Sequence, residues 1–143
     1  MWTWASLAAV VLLVVDRALK QWALSFFEKD GVIVNTRSLF FIEMPQILSQ
    51  WLSGMAFCIA IAVAVMIWRS FDRTYQKKAF VPLILFLGGS ASNVADRFVY
   101  GGVVDMIPFF SLSLFNSADA AIVLGALSLF FMLWHQKSIR EHS

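Results

Sequence analysis

GGSASNVADRFVYGGVVDMIPFFSLSLFNSAD, running from Gly88 to Asp119, is the stretch on which the reading of this chain turns. It holds three of the nine acidic residues, Asp96, Asp105 and Asp119, with Asn93, Arg97 and Asn116, in a sequence that is 60% hydrophobic and only 14% charged. Soluble domains carry about 25% charged residues, so this composition and the mean hydropathy of +0.76 indicate an integral membrane protein. A charge at the centre of a membrane helix costs about 2.5 to 3.5 kcal/mol on insertion scales. Carboxylates and amides gathered between apolar runs therefore read as a membrane-embedded site with two cooperating aspartates.

Outward from this stretch, apolar runs at about 2–24, 51–68, 79–97 and 117–134 are each long enough to cross a hydrocarbon layer of roughly 30 Å. Trp2, Trp4, Trp22, Trp51, Trp68 and Trp134 all fall at the ends of these runs, which is the interfacial aromatic pattern. The expected fold is an all-α membrane protein of four transmembrane helices, a single domain over residues 1–143, with a small extracytoplasmic β element. For that element, GVIV and SLFFI flank Asn35, Thr36 and Arg37 as two short strands joined by a turn. The first run reads as a retained span, since it lacks the basic start and small-residue cleavage site of a signal peptide. Within the third run, GGSAS at 88–92 leaves one face nearly bare, open to a neighbouring helix or an extended peptide.

Orientation follows from the basic residues. Arg69, Arg73, Lys77, Lys78, Lys137 and Arg140 fall in the second connection and the tail, against Lys29, Arg37 and Arg97 in the other connections. The positive-inside rule then puts both termini in the cytoplasm and the polar cluster towards the outer face. A net charge of +2 gives no case for nucleic acid as a partner. Cys58 lies in an apolar run and reads as a small hydrophobe. His135 and His142 follow the last run, far from the polar cluster, so no metal site is expected.

On helices, Asp16 and Lys20 share a face at i,i+4, as do Asn93 and Arg97. Asp96 beside Arg97 reads first as a local ion pair. Asn116 has the character of a helix N-cap with Asp119 at N3, where the helix dipole favours an ionised carboxylate. Two aspartates brought together tend to hold one proton between them. That state suits peptide hydrolysis, with one carboxylate as base and the other as acid. Asp119, on its helix end, is expected to be the ionised partner and Asp105 the proton carrier, although such a pair titrates as a unit and spacing equally allows Asp96 to pair with Asp119. Serine chemistry through Ser90 or Ser92 has only Lys20 to offer as a base. A transporter or proton-conducting protein is the alternative from another class, but a relay spreads acids across the membrane depth and these cluster at one side.

Asp16 to Lys20, Asn35, GGSASNVADR, VVD at 103–105 and FNSAD at 115–119 resemble, in order, the signature blocks of the lipoprotein signal peptidases, the type II signal peptidases of bacteria. The resemblance covers nearly the whole chain. It implies an aspartyl endopeptidase of the bacterial inner membrane that cuts a prolipoprotein before its lipid-modified cysteine, without metal or other cofactor, as a monomer among membrane lipids. By the matching motifs it implies Asp105 and Asp119 as the catalytic pair, with Asn35, Asn93, Arg97 and Asn116 lining the site and Asp16 and Lys20 supporting it. The family usually has Gly where this chain has Ser92 and Arg37, and the connection from Asp105 to Asp119 is short. This chain thus looks like a divergent member with altered substrate range.

Overall fold

The apolar runs form four long helices. The computed structural model describes residues 2–26, 33–35, 37–38, 42–105, 107–109 and 113–141, with α1 at Trp2–Phe26, α2 at Gln46–Ser70, α3 at Arg73–Tyr100 and α4 at Ser117–Glu141. Among the described residues, Gln46–Ser70, Arg73–Tyr100 and Ser117–Ile139 are long and apolar enough to cross a membrane, with mean hydropathies of 2.2, 1.4 and 1.8 over an 18-residue stretch of each. Large apolar side chains such as Val14, Ile59, Met66, Leu124 and Phe131 point outward, as they do where the solvent is lipid. This is an all-α membrane protein.

Each helix outruns the apolar stretch that announced it, for local reasons. The expected charged connection before the third run shrinks to Phe71 and Asp72, because the Asp72 carboxylate accepts the backbone N–H groups of Thr74 and Tyr75, both at 2.9 Å, and starts α3 at Arg73. At the other end Gly101 closes α3 with φ of 77°, the left-handed conformation that glycine adopts without a Cβ penalty. Helix α2 begins at Gln46, where the Pro45 carbonyl accepts the Ser49 N–H at 3.0 Å.

Helix α3 is central and packs on the other three, most extensively on α4. Small residues set that approach. A Cβ on Gly89 would lie 2.4 Å from the Ala118 carbonyl oxygen, and one on Gly125 would lie 2.6 Å from the Pro82 carbonyl oxygen. The bare face expected at 88–92 is thus used, through Gly89, to seat the first turns of α4. At the far end, Ala64, Phe71, Ala79, Leu83 and Leu129 form the apolar core.

Short strands join the polar ends: β1 at Ile33–Asn35, β2 at Arg37–Ser38, β3 at Ile42–Glu43, β4 at Val103–Asp105, β5 at Ile107–Phe109 and β6 at Ser113–Phe115. The single hairpin expected from GVIV and SLFFI is not what forms. Instead β1 pairs antiparallel with β4, Ile33 opposite Asp105 and Asn35 opposite Val103, while Arg37–Ser38 pairs with Ile42–Glu43. The physical reason lies in β4, whose three residues are all buried and whose Val104 N–H faces Asp96 on α3. The Gly101 turn delivers a strand held against α3, and β1 takes its edge. The segment read as a turn up to Asp105 is therefore partly strand.

Candidate active site

Two carboxylate clusters occupy the polar end of the bundle. The first joins α1, α3 and α4. On α1, Asp16 and Lys20 make the expected i,i+4 pair at 3.0 Å. Lys20 also reaches Asp96 at 2.7 Å, and Arg17 reaches the other Asp96 oxygen at 2.8 Å, a charge contact without hydrogen-bond geometry. Asp16, Lys20 and Asp96 are all essentially sealed from solvent, at 2%, 1% and 0% exposure, so the two acids and two bases must neutralise one another. Ser92 is the junction. Its hydroxyl donates to Asp16 and accepts from Arg17 at 2.7 Å and Lys20 at 3.3 Å, while its carbonyl accepts from Arg17 at 2.6 Å. From α4 the Ser117 hydroxyl donates to Asp16 at 2.5 Å.

The second cluster is held by carboxamides. Asn116 caps α4 reciprocally: its side-chain oxygen accepts the Asp119 N–H at 2.9 Å, and the Asp119 carboxylate accepts the Asn116 N–H at 3.2 Å. The Asn116 amide nitrogen donates to Asp105 at 2.8 Å and to the Asn93 side-chain oxygen at 3.2 Å. The Asn93 amide nitrogen in turn donates to the other carboxylate oxygen of Asp119 at 2.7 Å. Asp105 and Asp119 are thus linked through one asparagine pair, with Asp105 and Asn116 buried and Asp119 half-buried. Lys20, 3.4 Å from the Asn93 oxygen, connects the two clusters.

The Arg97 guanidinium donates to the Ser49 hydroxyl at 2.9 Å, and its carbonyl accepts from Gln50 at 2.9 Å. The local pair expected between Asp96 and Arg97 does not form. Adjacent helix residues point to different faces, and Asp96 turns to α1 while Arg97 turns to α2. Beside Asn93 and Arg97 lies a groove of about 190 Å³, walled by Ser53, Ala56 and Phe57 of α2 and reaching Ile122 of α4.

Of the residues marked in the sequence, Asp16, Lys20, Asn93, Arg97, Asp105, Asn116 and Asp119 are brought to this one end. Asn35 is there by its backbone, paired with Val103 two residues before Asp105. The side chains of Asn35 and Arg37, and His142, lie outside the described residues. Ser90 bonds back to the Phe86 carbonyl in its own helix at 2.7 Å, and Ser92 is held in the ionic cluster, so neither is presented as a nucleophile. Sequence reading assigned no role to Arg17, Ser49, Gln50 or Ser117. Their one signal was polarity at the end of an apolar run.

The signal peptidase (SPase) II family model matches residues 8–135. A lipoprotein signal peptidase of Rhodopseudomonas palustris (strain TIE-1) is 34% identical, covering 87% of this chain and 88% of its own. Proteins of the same name from Yersinia enterocolitica and Wolinella succinogenes are 30% and 28% identical, over 91% and 90% of this chain and 84% and 92% of theirs. In fold, the chain is similar to two bacterial membrane enzymes solved by the in meso method at 2.3 and 1.9 Å. The TM-scores are 0.67 and 0.65 at 20% and 21% identity, covering 94% and 90% of this chain and 88% and 91% of the solved chains. With a family match that runs over most of its length, and relatives matched over most of theirs, the chain belongs to the signal peptidase II family.

Proposed function

We propose that this protease is of the aspartic type, with Asp105 and Asp119 as its catalytic pair. It removes the signal peptide from prolipoproteins, cutting N-terminal to the diacylglyceryl-modified cysteine. The observation that carries the aspartic reading is the hydrogen-bonded run Asp105, Asn116, Asn93, Asp119, which ties two carboxylates from different elements to one asparagine pair. Brought close together around water and a peptide bond, such a pair shares one proton. The ionised carboxylate takes a proton from water as the water oxygen bonds to the scissile carbonyl carbon, and the protonated partner gives its proton to the carbonyl oxygen. Collapse of the gem-diol breaks the C–N bond while a proton passes to the leaving nitrogen, and the pair again holds one proton.

Around this centre Asn35, Asn93, Arg97 and Asn116 bind and orient the peptide, and Asp16 and Lys20 support it. The groove at Asn93 and Arg97 has room for extended backbone. Helix α1, 25 residues long, serves as the fourth span of one domain, with both termini in the cytoplasm and the strands and site towards the outer face of the bacterial inner membrane. The enzyme works as a monomer among lipids. A proton-conducting path has no support here, since Asp16, Asp96 and Asp119 gather at one end, α2 carries no acid, and Glu141 is exposed at the last residue of α4.

The test is cleavage of a lipidated prolipoprotein by the purified protein in detergent. Asp105→Asn and Asp119→Asn are expected to abolish cleavage in folded protein, while Asp96→Asn keeps part of it wherever the protein stays folded. Full activity in either of the first two variants sinks the dyad. Failure of the folded wild type on several such substrates sinks the substrate assignment.

A further inference from the structure

At the end of the bundle away from the aspartates, helices α2 and α3 leave a groove of about 440 Å³ between them, apolar along its length, with Arg69 in its wall. We propose that it holds one acyl chain of an anionic phospholipid whose phosphate sits on Arg69, Arg73 and Lys77. Nothing in the peptidase reading requires such a site.

Helix periodicity makes the case. On α2, Ile61 and Val65 line the groove, and Arg69 continues their row in steps of four residues. On α3, Phe80 and Ile84 line it, and Arg73 and Lys77 precede them at spacings of four, three and four, which is one helix face. Both walls therefore run from apolar side chains into cations at the same end. Trp68, another wall residue, marks that end as the interface between hydrocarbon and headgroups. Arg69, Arg73 and Lys77 are exposed and make no salt bridge among the described residues. The acid at this turn, Asp72, is engaged by the Thr74 and Tyr75 N–H groups. Three cations around the mouth of an acyl-sized groove complement a phosphate that carries its own acyl chains, and basic pockets between membrane helices select anionic lipids in this way.

Lys78 supplies the control. It is a cation of the same turn, but it lies over the Tyr75 ring, 5.6 Å from the centroid, and off the groove-facing row. Purified protein in neutral detergent is offered phosphatidylglycerol and phosphatidylcholine with identical chains, and bound lipid is counted by native mass spectrometry. The wild type is expected to retain one phosphatidylglycerol, in preference to phosphatidylcholine by tenfold or more, from about fivefold per engaged cation. Arg69→Gln lowers that preference about fivefold. Lys78→Gln, with the same change in net charge, leaves it intact. Ile84→Trp fills the groove and displaces retained lipid of either kind. Equal retention of the two lipids by the wild type overturns the proposal. So does a loss in Lys78→Gln as large as in Arg69→Gln, which would make the attraction diffuse, and so does unchanged retention in Ile84→Trp.

Discussion

Asp16 and Asp96 lie at the same end of the bundle as Asp105 and Asp119, yet the two pairs are held by different chemistry. The first pair has Lys20 within 3.0 Å of both carboxylates, with Arg17 on Asp96 and serine hydroxyls on Asp16. The second pair receives the side-chain amides of Asn93 and Asn116. A carboxylate held between buried cations balances their charge and ties helices together, whereas a carboxamide orients a carboxyl group without adding charge. The same residue type thus meets two kinds of partner at one end of the bundle.

The sharpest way to break the contrast is to neutralise the amide-held pair. Asp105→Asn or Asp119→Asn should cut the cleavage rate by at least about a thousandfold, within the range that acid and base catalysis supplies, while thermal unfolding in detergent shows a folded protein. Losses of tenfold or less would place the chemistry elsewhere. Lys20→Met attacks the other pair and should do the reverse, leaving Asp16 and Asp96 without their shared cation and costing about 3 to 5 kcal/mol of stability, read as a large drop in melting temperature. An unchanged melting point with lost activity would make Lys20 part of the chemistry.

Gly89→Val tests the frame that both clusters share. With its first side-chain carbon 2.4 Å from the Ala118 carbonyl, α3 and α4 must part, at about 1 to 3 kcal/mol. Gly54, with nothing within 4 Å of an added Cβ, should accept Ala with no loss. A modest loss of stability is expected from Asn116→Ala, about 1 kcal/mol for a lost helix cap. Its activity should fall much further, because the link from Asp105 to Asn93 goes with it. Equal losses in the two readouts would reduce Asn116 to a cap.

What could be read early was local. Long apolar runs give helices because only a helix satisfies its own backbone in lipid. The Asp16–Lys20 pair and the Asn116 cap of Asp119 each close within four residues, and spacing alone exposes them. The order of the motif blocks was enough to propose the seven site residues that meet at this end. What could not be read was contact across long separations. Ser117 finds Asp16 at a separation of 101 residues, Ser92 finds it at 76, and Arg97 finds Ser49 at 48.

The sequence by itself determined a membrane protein, where its helices lie and which polar residues stand at their ends, because periodicity and capping are properties of neighbouring residues. Only the tertiary structure decided that Asp96 belongs to Arg17 and Lys20 rather than Arg97, that Ile33–Asn35 pairs with Val103–Asp105, and that Asn93 and Asn116 join Asp105 to Asp119. The physical reason is packing. Gly89 and Gly125 let α4 close on α3, and that approach, with the Gly101 turn that returns β4 to Asp96, sets which side chains come within reach.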